Sequence, residues 1–143
     1  MRHLLLTIVL LVPVMTSPNL AYAESATPTS DQRTQVVLNS AQEAFVLEHM
    51  KTMLETLAQI NQHLANQTPD KVASLVKEMQ QQSDQKKPKG LGKSFPKGFR
   101  TLSQQMNKHW KQLMTPSQDA ATINGTVSEI LNQCNACHRS YKL

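Results

Sequence analysis

The sequence predicts an all-α protein, an antiparallel bundle of four helices, and three observations carry that reading. Apolar residues recur at steps of three and four through most of the chain. Aromatic residues make up only 4 % and there are four glycines, against 39 % apolar residues and seven methionines. β-Sandwiches and nucleotide-binding α/β folds draw on aromatic strand formers and glycine turns, so this composition excludes them. A length of 143 residues points to one domain.

Residues 1–23 read as a secretory signal. Arg2 and His3 form a basic start, Leu4 to Val14 is an almost unbroken apolar run, and Ala21-Tyr22-Ala23 has the small-x-small cleavage pattern. The apolar run falls short of the roughly 20 residues that span a bilayer as a helix. The expectation is an exported, periplasmic chain cleaved after Ala23, with no stable membrane insertion. A polar leader occupies 24–31, and 32–143 form the helical domain.

The first helix is expected from Gln32 to Ala65, with Val37, Ala41, Ala44, Leu47, Met50, Leu54, Leu57, Ile60 and Leu64 along one face. Asn66 to Pro69 breaks it. Thr68 is a candidate N-cap, with Pro69 at the first position of a second helix through Val72, Leu75, Val76 and Met79. Gln80 to Lys93 is polar and contains Pro88, Gly90 and Gly92, which predicts a loop. A third helix follows from about Phe95 through Phe99, Leu102, Met106, Trp110 and Leu113. Thr115-Pro116-Ser117 ends it and can cap a fourth, which carries Ile123, Val127, Ile130, Leu131, Cys134 and Tyr141 to the C-terminus. Four such segments bury their stripes most simply as an antiparallel bundle. With so few aromatics, a large planar cofactor would supply apolar volume that the core lacks.

The formal charge is +5, and the basic residues concentrate at Lys86, Lys87, Lys89, Lys93, Lys97 and Arg100 rather than along one helical stripe. This pattern reads as a solvated loop or as a docking patch for an acidic redox partner, and not as a nucleic-acid surface.

The chemistry is concentrated in Cys134-Asn135-Ala136-Cys137-His138, the pattern C-x-x-C-H. Covalent haem attachment needs two thiols to add across two vinyl groups and an imidazole for the iron, and this pattern supplies all three. A thioredoxin-like pair sits instead at a helix N-terminus after a strand, where the dipole lowers the thiol pKa. Here the pair lies at the opposite end of a helix. A zinc site needs four ligands, and only one Cys-Cys-His cluster is present. No Ser/His/Asp grouping, phosphate loop or paired-carboxylate motif indicates an enzyme.

A C-x-x-C-H motif on the last helix, continued by Arg139-Ser140-Tyr141-Lys142, resembles the cytochrome c′ family and its low-spin relatives, across roughly Gln32 to Leu143. The resemblance implies one haem c near the end of the C-terminal helix of a four-helix bundle, with Cys134 and Cys137 as thioether attachments and His138 as the proximal iron ligand. It places Lys142 near the proximal histidine, where the family more often has arginine, and it implies a possible homodimer.

The resemblance also implies that a residue of the first helix fills or blocks the sixth iron position, and helix length gives its level. In an antiparallel pairing the end of the last helix lies level with the window Ala44 to Met50. Met50 is the expected distal ligand and Met53 the alternative, with Leu47 and Phe45 also near that level. A methionine thioether suits a one-electron carrier serving redox partner proteins. A non-coordinating residue there gives instead a five-coordinate protein that binds NO or CO. His49 points about 100° away from Met50 around the helix and is expected to face solvent, as are His63 and His109. Trp110 and Phe99 are expected in the core or against the haem.

Overall fold

A computed structural model describes residues 30–143. The predicted signal at 1–23, its cleavage site at Ala23 and most of the polar leader lie outside the described residues. The domain beginning at Gln32 is mostly helical, with five helices and one two-stranded parallel ladder.

Helix α1 spans Ser40–Ala65, about 39 Å at 1.5 Å per residue. It starts eight residues later than the periodicity predicts because Asn39 caps it. The Asn39 side chain accepts from the Gln42 N–H at 2.9 Å, and the Gln42 side chain accepts from the Asn39 N–H at 3.2 Å. The residues before it are committed elsewhere. Strand β1 (Thr34–Gln35) pairs in parallel with β2 (Tyr141–Lys142), Thr34 opposite Tyr141, and the Val36 N–H donates to the Lys142 carbonyl at 2.8 Å. Backbone groups spent on a ladder are not available to a helix. Replacing Asn39 with alanine removes the reciprocal cap, and the expected loss is about 1 kcal/mol, read as a lower denaturation midpoint at unchanged slope.

Thr68 does not cap the second helix. Its hydroxyl donates back to the His63 carbonyl at 3.2 Å and lies 3.0 Å from His63 Nδ1, so it closes α1 instead. Pro69 does open the next element, a 3₁₀ turn (Pro69–Lys71) that runs into α2 (Val72–Lys86). The polar run from Gln80 was expected to be loop. It stays helical through Lys86, and the helix stops where Lys87 turns extended ahead of Pro88. A single turn, α3 (Leu91–Ser94), follows Gly90, whose φ of 79° suits glycine.

Helix α4 spans Lys97–Leu113 and α5 spans Ala120–Ser140. The cap of α5 is Asp119, not the Thr115–Ser117 turn, because its side chain accepts from the Thr122 N–H at 2.7 Å. That backbone hydrogen bond holds the Asp119 carboxyl below its ordinary value. Its stabilising effect is therefore complete above about pH 4 and fades as acid protonates the carboxyl. The expected result is fraying of α5 on acidification that Asp119→Asn reduces, followed by amide exchange at Thr122.

Helix α1 packs along α2, α4 packs along α5, and α2 reaches α4. The dry core occupies one end of these pairs. It joins Leu57 and Ile60 of α1, Val72, Val76 and Met79 of α2, Trp110 and Leu113 of α4, and Ile123, Val127 and Ile130 of α5. The other halves of the same helices surround a cavity. No helix among the described residues is long and apolar enough to cross a membrane.

Candidate functional site

Helix α5 gives the C-x-x-C-H motif its geometry. At 100° and 1.5 Å per residue, Cys134 and Cys137 lie about 60° apart around the helix and about 4.5 Å apart along it, with His138 on the same side. Cys137 is buried, Cys134 half-buried, and His138 exposed. Both cysteines are free thiols. Burial pushes both thiols above their ordinary value, and Cys134 adds to the effect at Cys137. That direction is opposite to the lowered thiol pKa that disulfide exchange requires.

The motif opens onto two cavities. The larger, about 440 Å³, is walled by α1 (Phe45, Val46, Met50, Met53, Leu54, Leu57), by Leu91 of α3 with Phe95 just beyond it, by α4 (Phe99, Met106) and by α5 (Leu131, Cys134, Cys137, His138). The smaller, about 280 Å³, is walled by Val36, Leu47, Met50, Phe99, Cys137, His138, Tyr141 and Lys142, among others. Met50, Phe99, Cys137 and His138 border both. Met53 borders only the larger, and Lys142 shares the smaller with His138.

Tertiary contacts that no local pattern announces hold the His138 end of α5. Arg33 donates to the His138 carbonyl at 3.3 Å, and the β1–β2 ladder anchors the residues that follow. Tyr141 packs edge-on against Phe99 at 5.4 Å, and its hydroxyl lies so close to Gly98 that a Cβ there would overlap it. Phe95 extends this aromatic row at 4.5 Å from Phe99.

His49 departs from expectation. It borders the larger cavity, is stacked on Phe45 at 5.7 Å, and has Nδ1 3.0 Å from the Ser83 hydroxyl. Desolvation holds its pKa below the ordinary value; Lys87 pushes the same way and Asp84 opposes. The reason is the extra length of α2. Its last turns bring Ser83 and Asp84 across from α1, at residues whose polarity reads as loop. Ser83, Leu91, Phe95 and Arg33 are the cavity residues that sequence reasoning missed, and the one signal for them was the apolar spacing of Leu91, Phe95 and Phe99. His63 bonds Thr68 and His109 lies beside Gln112 at 3.1 Å, both away from the cavities. Trp110 is in the dry core, and Phe99 is a cavity wall.

A haem fits the chemistry of these walls. Pockets of about 300–1,000 Å³ lined mainly by apolar side chains are the usual size for cofactor-scale ligands. Leu54 is 66 % exposed, Leu131 45 % and Leu47 45 %, and all three border the cavities. Exposed leucines around adjoining cavities are the pattern of a ligand groove or an interaction surface. Two thiols (Cys134, Cys137), two imidazoles (His49, His138) and three thioethers (Met50, Met53, Met106) line the larger cavity. Comparisons with protein families, with curated proteins and with solved structures found no match.

Proposed function

We propose that the chain is a periplasmic c-type cytochrome similar to the low-spin, methionine-ligated members of the cytochrome c′ family, carrying one electron between redox partners. The observation that supports this most is the division of the helices. One end is a packed core, and the other opens into an apolar cavity on which Cys134, Cys137, His138 and Met50 converge. The pairs α1–α2 and α4–α5 favour an antiparallel four-helix bundle, with α3 part of its long connection.

In this reading Cys134 and Cys137 hold one haem c by thioether bonds, His138 is the proximal ligand and Met50 the distal one, with Met53 the alternative. Haem c supplies a one-electron iron(III)/iron(II) couple when bound. The chain's own residues then set its surroundings. Leu54, Leu131 and Phe99 exclude water, and the thioether of Met50, a soft neutral donor, favours the reduced state. Arg33 and the β1–β2 ladder keep the end of α5 from fraying, so the His138 imidazole keeps its place.

Optical spectra of the oxidised and reduced protein test the assignment. Expected are low-spin spectra in both states, with no fast uptake of CO. Met50→Ala is expected to convert the protein to a high-spin, CO-binding form, while His49→Ala leaves it low-spin. A high-spin wild-type spectrum with rapid CO or NO uptake would replace electron transfer by gas binding, and a spin change in His49→Ala would move the distal ligand to His49.

A further inference from the structure

The charge of this protein is concentrated in one short stretch. Residues 86–100 contain six of the 15 basic residues and none of the 10 acidic ones, so the remainder of the chain sums to −1. The stretch is an ordered wall rather than a free loop. Leu91 is buried, the Leu91 N–H donates to the Pro88 carbonyl at 3.3 Å, and Gln42 of α1 donates to the Ser94 hydroxyl at 3.0 Å.

Residues of the wall alternate between the cavity and solvent. Lys87, Leu91, Phe95 and Phe99 border the larger cavity. Lys89, Lys93 and Lys97 fall midway between them and are all exposed. Among the described residues none of these three lysines has an ion-pair partner, unlike Lys51 with Glu48 and Lys71 with Asp70.

We infer that the outer face of this wall is the docking surface for an acidic protein, the redox partner of the cavity site. The inference rests on the haem reading for the word redox, and on charge alone for the word acidic. Like charges crowded on one face raise the encounter rate with an oppositely charged surface and orient it. The same stretch lines the larger cavity at Lys87, Leu91, Phe95 and Phe99. A lipid surface is disfavoured because interfacial binding needs an apolar face beside the basic one. The exposed large apolar residues are Val37, Leu47, Leu54 and Leu131, none of them in this stretch.

Binding of the holoprotein to poly-L-glutamate, measured by calorimetry across a salt series, tests the surface. The triple variant Lys89→Gln, Lys93→Gln, Lys97→Gln is expected to bind roughly tenfold more weakly with a flatter salt dependence. A control with the same charge change, Lys77→Gln, Lys108→Gln, Lys111→Gln, is expected to change affinity by no more than about twofold. Equal losses in both triples would reduce the effect to net charge and overturn the surface. Tighter binding to vesicles containing anionic phospholipid, lost in the first triple, would replace the protein partner with a membrane.

A second measurement separates the two readings. Mixing the reduced protein with hexacyanoferrate(III) moves one electron from haem iron to that anion, giving hexacyanoferrate(II). The wall variant is expected to slow this step and to speed oxidation by the cation tris(1,10-phenanthroline)cobalt(III), which takes the same electron and becomes cobalt(II). Absence of any haem absorbance change overturns the haem reading, while the poly-L-glutamate result still decides the surface.

Discussion

Serine at both Cys134 and Cys137 is expected to abolish haem staining of the denatured protein, whereas the wild type stains. On the proposed reading the effect is all-or-none because the attachment would be covalent. His138 and Met50 would contribute only coordinate bonds, which denaturation breaks, so nothing would retain the haem once both thiols are gone. Each single variant keeps one thiol on the same face of α5 and is expected to stain, with less haem incorporated. Mass spectrometry of the intact chain gives the same answer independently, as the presence or absence of the added haem mass. Staining that persists in the double variant would sink the assignment of these two residues. The exchange alternative makes the opposite prediction: a wild type without covalent haem, whose two thiols cycle with a disulfide. The raised pKa of both thiols is the physical reason it is not favoured.

Trp110→Ala is expected to give the largest loss of stability in the helical domain. Trp110 is 0 % exposed and lies within the dry core with Ile60, Leu113 and Ile130. Truncating a fully buried tryptophan removes its transfer energy and leaves a cavity, about 3–5 kcal/mol together. Its indole N–H has no hydrogen-bond partner among the described residues, so removing it relieves one unsatisfied donor. That places the cost toward the lower part of the range. In a domain of this size it corresponds to a fall in Tm of more than about 10 °C. Trp110→Phe keeps a ring and removes the orphan donor, so its expected cost is markedly smaller. Differential scanning calorimetry of the three proteins checks the order, and a Trp110→Ala protein as stable as wild type would show that the core end does not carry the fold.

The two variants act at opposite ends of the same helices. Trp110→Ala weakens the end that packs by itself, and the cysteine changes empty the end that needs a partner group. Their effects on haem content and on stability are therefore separable. The cysteine double variant is expected to stay helical by circular dichroism because Leu57, Ile60, Val76 and Ile130 still pack without it.

Helical periodicity was legible wherever one face is apolar. Helices α1, α4 and α5 were read in the right order, and the steps of three and four marked Leu57, Ile60, Trp110, Leu113, Ile123 and Ile130 as core. Local pattern failed where polar residues form structure through distant partners. Gln80 to Lys86 is helical although it reads as loop, and Gln32 to Asn39 is not helical although the apolar periodicity includes Val37. In the first case nothing ends the helix until Pro88. In the second, residues 34–36 find hydrogen-bond partners more than 100 residues away, at Tyr141 and Lys142.

The sequence by itself determined the helical class, the C-x-x-C-H spacing of Cys134, Cys137 and His138, and the concentration of charge in 86–100, because each is a property of residue type and local spacing. Only the tertiary structure decided where those features meet. It set Met50 and His138 on the walls of the same two cavities, drew His49 into the wall of the larger, and tied Arg33 and β1 to the end of α5. It also turned a basic loop into a wall with an apolar inner face and a charged outer one. Those outcomes depend on contacts between residues far apart in the chain, and helical periodicity carries no information about which faces come together.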